Sequence, residues 1–428
     1  MDKQHSKSES GQALILIVLA MVALLGFTAL AVDGTMIYSD RRYAQNSSDA
    51  SSLAGGAAAG QWLIDNDITT YNWSCGAVAG GETAAKQMAD DRALENGFDI
   101  NQYWDLASLE SGSPDGKIGV YTECHSGTSA NDNYIDVHTW ITNDTETAFV
   151  HFVYNGVRRN TVEAVVRVRP PQSLAWGYAI VALNTDACTG NFGVGFQGTS
   201  DTIVNGGGIF SNGCFKTGGT FYTEVNGAGV KYNHLKNPSD DDMVIITGGG
   251  TIEQTTEQVP ASSYEVPPID CSSAEYYGSW PPPDASTGMG PGLYCITGNI
   301  SINNSDTVIG NAVTIVVIDG KLTINGGASV QLTAPAQGSD PEPAVEGLLW
   351  YLPPSNDNAV TINGGADFVS VGTILAPSSS ISYEGNATAV LTGQIIGWDV
   401  FVSGTGGNGV TFDGGVTAMI PTFLDLFR

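Results

Sequence analysis

The longest apolar stretch of the chain covers residues 12–32, and no charged side chain occurs in it before Asp33. At about 1.5 Å per residue, a helix of this length spans about 31 Å, close to the hydrocarbon thickness of a bilayer, about 30 Å. A cleaved secretory signal is the alternative, but this stretch is longer than the apolar region of such signals, and the nearest A-x-A sequence, Ala29-Leu30-Ala31, lies inside it. We therefore predict a retained membrane helix at 12–32, after a short cytoplasmic N-terminus at 1–11.

The helical pattern continues beyond the apolar stretch. Residues 33–54 are mostly residues that favour or tolerate a helix, and the first proline of the chain is Pro114. The sequence therefore predicts one helix from about residue 12 to about residue 54. The small residues at 54–60 would let this helix pack closely against another element, or end there.

Beyond Pro170-Pro171 the pattern changes to short strands, in which β-branched residues alternate with others and Gly or Asn stands at the bends. The sequence Ile-Asn-Gly-Gly occurs at Ile324 and again at Ile362. Repeated short strands with such bends predict a parallel β-helix, a β-solenoid, over residues 171–428, because each coil can bury its inner face only by stacking on its neighbours. A β-sandwich is the alternative, since its strands follow one another at a similar spacing.

Composition narrows the function. Acidic residues outnumber basic ones by 44 to 16, which gives a formal net charge of −28. Such a surface repels nucleic acid and offers no basic patch for anionic lipid. The 54 glycines and the charged fraction of only 14 % favour a β-rich, extracytoplasmic protein.

The six cysteines form no C-x-x-C pair, so a zinc ribbon or a thioredoxin-like site has no support. Their even number favours structural disulfides in an oxidising compartment, with free buried thiols as the alternative. Sequence does not fix the connectivity, and our first prediction pairs neighbours in the chain because these pairs close the shortest loops. The predicted pairs are Cys75 with Cys124, Cys188 with Cys214, and Cys271 with Cys295.

The N-terminal segment combines a Gly-Gln-Ala start, an apolar helix, Val-Asp-Gly at its end, a Tyr, an Arg pair, Gln-Asn, Asp-Ala and a Leu-Ala-Gly run. This combination resembles the N-terminal segment of Tad (tight adherence) pilus-assembly proteins of the TadG-like group. The matching residues are Gly11, Gln12, Ala13, Val32, Asp33, Gly34, Tyr38, Arg41, Arg42, Gln45, Asn46, Asp49, Ala50, Leu53, Ala54 and Gly55.

Weaker similarities follow along the chain. An Ala-rich stretch that ends in Asn96-Gly97 resembles the family's second helix, and residues 134–170 resemble the strand, short helix and strand that close its module. Gly-Leu-Tyr-Cys at 292–295 and Val-Ile-Asp-Gly at 317–320 are similar to words in the C-terminal parts of TadG-like proteins. The resemblance implies a pilin-like α+β module at 33–170, between the membrane helix and the solenoid.

Motifs for catalysis and cofactor binding have little support, and we expect no cofactor and no metal. The G-x-G-x-x-G sequences at 193–198 and 404–409 precede turn and strand residues, whereas a dinucleotide site needs a helix there. His138 and His151 lie on predicted strands, where a hydrogen-bonded structural role is expected. The acidic run at 240–242 is interpreted as a solvated loop, with a partial Ca²⁺ site as the alternative.

A glycan-active β-helix enzyme is the rival functional hypothesis. A hydrolase of this kind would need two or three carboxylates that converge on one site. The acidic residues near predicted strand ends are Asp319, Asp367, Glu384, Asp399 and Asp413.

The resemblance implies a non-enzymatic, membrane-anchored component of a Tad/Flp-type pilus or adhesion apparatus, with the bulk of the chain extracytoplasmic and a role in assembly, at the tip or in anchoring. A surface adhesin or a structural filament subunit is the alternative. Expected partners are the lipid bilayer and pilus or secretion-apparatus proteins in the membrane, with self-association through the N-terminal helix as a further option and no nucleic acid. Small residues that would allow close helix approach are Ala13, Ala20, Ala23, Gly26 and Ala29.

Overall fold

The computed structural model describes residues 10–427 except 67, 71, 106–116, 128–131, 150–157, 187, 190–192, 199–201, 220–221, 238–239, 267, 340, 365–367, 386–389 and 405–407. The chain forms two compact units. The first unit comprises Met1–Pro170 together with Thr422–Arg428, and the second comprises Pro171–Pro421.

The first unit contains helices α1 (Ser10–Asp65) and α2 (Ala79–Glu95) and strands β1 (Gly119–His125), β2 (Tyr134–Thr145) and β3 (Arg158–Arg169). β2 pairs with β1 and with β3, antiparallel in both cases. α2 packs through small residues, of which Ala85, Ala89 and Ala93 are fully buried at a spacing of four. It ends at Asn96, followed by Gly97 with φ +80°, so the predicted Ala-rich helix with an Asn-Gly end is confirmed.

The second unit consists mainly of strands, most of them short. They are β4 (Gln172–Ser173), β5 (Ile180–Ala182), β6 (Val194–Gly198), β7 (Thr202–Asn205), β8 (Gly208–Gly219), β9 (Thr223–Asn226), β10 (Gly229–Leu235), β11 (Val244–Thr247), β12 (Thr251–Gln254), β13 (Tyr276–Ser279), β14 (Gly292–Thr297), β15 (Ile300–Ile302), β16 (Thr307–Gly310), β17 (Val313–Val317), β18 (Leu322–Ile324), β19 (Ser329–Thr333), β20 (Leu348–Tyr351), β21 (Val360–Gly364), β22 (Phe368–Gly385), β23 (Val390–Gly404), β24 (Asn408–Thr411) and β25 (Met419–Ile420). After it, β26 (Phe423–Phe427) ends the described chain.

Strands β5–β24 stack in three parallel ladders. Ladder A contains β5, β8, β10, β12, β13, β14, β17, β20 and the middle of β22 and β23. Ladder B contains β6, β15, β18, β21, the end of β8 and the last parts of β22 and β23. Ladder C contains β7, β9, β11, β16, β19, β24 and the first parts of β22 and β23. The predicted parallel β-solenoid is therefore confirmed, and the sandwich alternative is excluded because these ladders are parallel throughout.

Inward-facing side chains of successive coils lie in register rows and form the core. One row of ladder B consists of branched residues and one aromatic residue, and its members are at most 1 % exposed: Ile300, Leu322, Val360, Ile381, Val400, Val194 and Phe215. Each such side chain contributes about 1.5–3 kcal/mol by burial. Each coil therefore buries its inward side chains only by stacking on neighbouring coils, as the sequence pattern predicts.

The coils do not follow each other in space as they do along the chain. β5, the first ladder A strand in the chain, pairs with β23 on one side and with β8 on the other. The chain therefore enters the solenoid in its middle and winds to one end at β12. It then restarts at β13, at the other end, and winds back to β23. Residues 255–275 connect the two ends.

This connecting segment covers the outer face of ladder A. Val259 and Val266 are buried in one cluster with Phe210, Leu375 and Ile396 of the ladder. The buried side chain of Asn212 donates to the Val259 carbonyl at 3.2 Å and accepts from the Val259 amide at 2.7 Å. Strands β5, β14, β17 and β20 of ladder A are thus buried on both faces, which explains why they read as nearly continuous apolar runs. The end strands β12 and β13 are mostly exposed or half-buried.

Three disulfides form, each within one unit, and each joins the neighbours that the shortest-loop prediction pairs. In the first unit Cys75 is bonded to Cys124 of β1. In the second unit Cys188 is bonded to Cys214 of β8, and Cys271 fixes the connecting segment to Cys295 of β14. In the chain-entropy model, each bond stabilises its unit by about 3–4 kcal/mol.

The last strand departs from the predicted range of 171–428 for the solenoid. β26 pairs antiparallel with β3 in the first unit, from Phe423 opposite Arg169 to Phe427 opposite Val165. Leu424 and Leu426 pack against the core of that unit. The solenoid is therefore an insertion between two paired strands, which sequence order alone did not reveal. The resemblance also implies a short helix between β2 and β3, and residues 150–157 of that connection lie outside the described residues.

We predict that β26 stabilises the first unit. Leu424→Ala should lower its free energy of unfolding by about 1–2 kcal/mol, because the side chain leaves the core. Hydrogen–deuterium exchange of β3 peptides would show this as faster exchange. Phe423→Ser is the matched control, since this side chain of the same strand is 56 % exposed and should change little. Equal exchange in wild type and Leu424→Ala would contradict a supporting role for the strand.

Candidate functional site

The two halves of α1 have different surroundings. Residues 13–28 are exposed throughout, and Leu24 and Leu25 are 65 % and 68 % exposed. Within the described part of the chain, α1 is the one helix long and apolar enough to cross a membrane, with a mean hydropathy of 2.9 over its most apolar window and none of that window buried. In water each such side chain would forfeit about 1.5–3 kcal/mol of burial, whereas lipid removes this cost.

The second half of α1 buries one face against the sheet and α2. Every buried residue on this face except the last is small, and the spacing alternates between three and one: Ala44, Ser47, Ser48, Ser51, Ser52, Gly55, Gly56, Ala59, Gly60 and Leu63. This spacing keeps one stripe of the helix against its neighbours. The small side chains let the helix backbone approach the strands closely.

Two glycines mark the closest approach. A Cβ atom added at Gly55 would lie 2.7 Å from the Ala85 carbonyl oxygen, and one added at Gly56 would lie 2.6 Å from Cγ1 of Val166. Both distances are far below van der Waals contact, so no larger residue fits without movement of the sheet or of α2.

Two serines add hydrogen bonds across this contact. Ser48 Oγ donates to the Thr139 carbonyl of β2 at 2.7 Å, and Ser52 Oγ donates to the Ala164 carbonyl of β3 at 2.9 Å. Thr139 and Ala164 lie directly opposite each other in the β2–β3 pair. One helical turn therefore binds both strands at the same level, and the serines that weaken the helix in isolation have a structural role.

Asp33 lies at the boundary between the two halves of α1. It is the first residue after the apolar stretch and is only 1 % exposed. Its Oδ1 accepts hydrogen bonds from the backbone amides of Ala148 at 2.7 Å and Phe149 at 3.1 Å. These bonds satisfy a buried carboxylate and fix the segment after β2 to the helix where the apolar stretch ends.

Arginines pair with carboxylates along the β2–β3 hairpin. Arg159 binds both oxygens of Asp144, at 2.8 and 3.0 Å, and this hydrogen bonding lowers the pKa of Asp144. Arg167 binds both oxygens of Asp136 at 2.8 Å, which raises the pKa of Arg167. The Arg167 guanidinium also lies over the rings of Tyr134 and Phe427, at 3.6 and 4.9 Å from their centroids. It therefore links β2, β3 and β26.

The helix-packing candidates lie in the exposed half of α1. Ala13, Ala20, Ala23 and Gly26 are exposed, and Ala29 is half-buried. A Cβ atom at Gly26 would have no heavy atom within 4 Å. These residues thus remain candidates for contacts outside the chain.

The candidate carboxylates make local structural contacts. Asp399 is 4 % exposed and accepts from Asn184 Nδ2 at 3.0 Å and the Gly193 amide at 2.7 Å. Asp319 accepts from the Gly298 amide and Asp413 from the Gly415 amide. Ser382 Oγ donates to Glu384 at 3.1 Å. Asp367 lies outside the described residues.

The other candidates make local contacts or lie outside the described residues. Among the described residues no group of three or more His, Cys, Asp or Glu side chains could hold a metal ion. Residues 194–198 of the first G-x-G-x-x-G sequence form strand β6 rather than a helix-capping loop. Of the second, at 404–409, residues 405–407 lie outside the described part. His138 on β2 contacts Glu163 at 2.9 Å, whereas His151 lies outside the described residues.

Together these features define an α+β module built on the second half of a long helix, with a β-solenoid inserted between two of its strands. Residues 11–59 match the family model "Putative Flp pilus-assembly TadE/G-like", named Tad. The predicted resemblance to the Tad family is confirmed over this segment, and the chain carries a Tad domain in its N-terminal helix. No curated protein and no solved structure matches the chain.

Sequence reasoning found the helix but missed what its second half does. The Asp33 contact and the serine bonds need the position of β2 and β3, which lie more than 80 residues further along the chain. The spacing of small residues was readable in the sequence and could have indicated a helix face that packs closely on a sheet.

We predict that two glycines of α1 respond oppositely to the same substitution. Gly56→Leu should destabilise the first unit by about 3 kcal/mol, because the new side chain collides with Val166. Gly26→Leu should leave its stability unchanged, since the position has open space around it. Thermal unfolding of the full chain in detergent micelles, with protease digestion of the first unit as a second readout, would measure both. Equal tolerance at the two positions would contradict the packing of residues 44–63.

Proposed function

We propose that this chain is a non-enzymatic, membrane-anchored and largely extracytoplasmic component of a Tad-type pilus or adhesion apparatus, acting in assembly, at the tip or as an anchor. The observation that carries the proposal is the continuity of α1. One helix of 56 residues, about 84 Å long, offers an apolar, uncovered half to the bilayer and a small-residue half to the core of the module.

The Tad match supports this assignment, because it covers residues 11–59 and therefore both halves of α1. The disulfides support export, since such bonds persist in oxidising compartments. On this proposal the N-terminal residues face the cytoplasm, and the rest of the chain from Asp33 onwards lies outside it.

The insertion of the solenoid supports a role beside the fibre rather than within it. The solenoid unit spans Pro171–Pro421, a larger mass than the α+β module that carries it. A subunit repeated along a thin fibre has little room for such an insertion. An assembly, tip or anchoring protein has at least one side that no other fibre subunit covers. The module itself stays complete, because β26 returns to pair with β3.

A structural role also fits the chemistry of the solenoid. The candidate carboxylates that the structure describes each accept hydrogen bonds from a neighbouring amide or hydroxyl group that holds a bend or coil. A glycosidase needs two carboxylates that face one cleft and remain free to bind substrate. We therefore place the function of this unit in contact with partners or surfaces.

We predict that Leu24→Arg removes the chain from the membrane. A charge at the middle of the span costs about 2.5–3.5 kcal/mol on the insertion scale. Membrane fractionation should find wild type in the membrane pellet after carbonate extraction, and Leu24→Arg reduced there. Tyr38→Arg, beyond the apolar stretch, is the control and should leave the distribution unchanged. Soluble wild-type protein that has lost residues 1–32 would mean a cleaved signal instead of an anchor.

We predict that the solenoid serves attachment and not insertion. Residues 170–422 can be replaced by Asn-Gly, because Arg169 and Phe423 are opposite each other and such a turn closes a two-residue hairpin. This variant keeps β26 and should insert normally, while attachment of cells to a surface falls several-fold. The Leu24→Arg variant is the comparison in which both should fall. Normal attachment by the hairpin variant, together with release of sugars from a glycan by the full chain, would favour the enzymatic alternative.

A further inference from the structure

The outer side of ladder C is the most apolar exposed part of the solenoid. Seven large hydrophobic residues of the described second unit are strongly exposed, and four of them belong to this ladder: Ile203, Ile245, Ile309 and Val369, at 38, 45, 37 and 44 %. By contrast, the middle strands of ladder A are covered, and the matching outward row of ladder B contains hydroxyl residues such as Ser301, Thr323 and Thr361.

These four residues share one register row. Ile309 pairs with Gln331, which pairs with Val369. The row continues through β23 and β24 to Ile203, then to Glu224 and Ile245. The apolar residues thus lie on a straight line along the solenoid, and we call this line and the next outward row the C face.

The C face is nearly free of charge. Glu224 is the one charged residue of the first row, and the next row, from Thr333 to Thr247, consists of Thr, Val and Asn. Residues 171–421, the second unit, carry 22 acidic and four basic residues, a net charge of −18. Two copies of this unit therefore repel each other over most of their surface and least where the C faces meet.

We propose that the C face is a self-association surface on which a second copy of this chain packs, sheet against sheet. Parallel strands lie about 4.8 Å apart, so the eight strands of ladder C make a face about 35 Å long and about 15 Å wide. Two such faces bury about 1,000 Å² in total, the lower limit of a specific interface. β-branched side chains on flat strands are suited to pack in this way, at a sheet separation of about 10 Å.

A second copy fits this face better than a glycan does. Sugar recognition by a flat surface needs aromatic platforms or converging polar groups, and the row contains aliphatic side chains. An interface near the lower size limit is weak in dilute solution. Membrane anchoring raises the local concentration of copies in one plane, and a weak contact then becomes effective.

The test places a photoreactive side chain at position 203 of the full chain in native membranes. Illumination should give a crosslinked dimer whose joined peptides both come from ladder C. Val369→Glu, on the same row, should reduce the dimer at least tenfold by placing like charges opposite each other. Thr361→Glu, an outward residue of ladder B with the same added charge, is the matched control and should leave the dimer yield unchanged.

Sedimentation of the purified full chain in detergent micelles gives a second readout. The double variant Ile203→Glu with Val369→Glu should raise the dimer dissociation constant at least tenfold relative to Ser301→Glu with Thr361→Glu. The Gly26→Leu background should give the same ratio, because the C face acts independently of the helix. A monomeric wild type in both experiments, a dimer insensitive to the C-face charges, or crosslinks from position 203 only to another protein or to polysaccharide would overturn the proposal.

Discussion

The close contact between α1 and the β2–β3 pair is the interaction on which the rest of the molecule depends. Gly55 and Gly56 place no helix side chain where α1 comes closest to Ala85 of α2 and Val166 of β3, and Ser48 and Ser52 donate hydrogen bonds to β2 and β3. Through this contact, the second half of α1 contributes one face to the core of the first unit. Since Asp33 is bonded to the amides of Ala148 and Phe149, the module begins where the apolar stretch ends. Any tilt or displacement of the span is therefore expected to move the module with it.

The solenoid follows a second constraint, namely that both of its chain ends must return to the same module. β3 leads into the solenoid and β26 leads out of it, and the two strands are hydrogen-bonded neighbours. A solenoid wound from one end to the other would leave its two chain ends far apart. Here the chain enters and leaves in the middle, where β5 meets β23, and β4 pairs with β25. This arrangement requires a long connection between the two solenoid ends. The connection is held by hydrogen bonds to Asn212, by the Cys271–Cys295 bond and by the apolar residues of ladder A.

Features that depend on local sequence patterns were predicted correctly, whereas the pairing of distant strands was not predicted. Some segments have local patterns that indicate their conformation, because helix periodicity and turn chemistry are set by residues close in sequence. These segments are the apolar stretch, the Ala-rich helix with its Asn-Gly end and the Ile-Asn-Gly-Gly repeats. The return of Phe423–Phe427 to β3 and the meeting of β5 with β23 depend on partners more than 200 residues away. No short pattern encodes such pairings. The candidate site was predictable to the same extent: Asp33 belongs to the recognised motif, but its bond to Ala148 required the fold.

The proposed function depends on the continuity of α1 between bilayer and module. Hydrogen–deuterium exchange of the full chain in lipid nanodiscs measures this directly, amide by amide, along residues 13–63. A continuous helix predicts slow exchange through the apolar half and also through residues 33–43, where α1 would pass from lipid to the sheet. Rapid exchange confined to 33–43 would reveal a hinge between two independent helices, and absence of peptides before residue 33 would reveal cleavage. Either result would contradict a single helix shared by the membrane and the module.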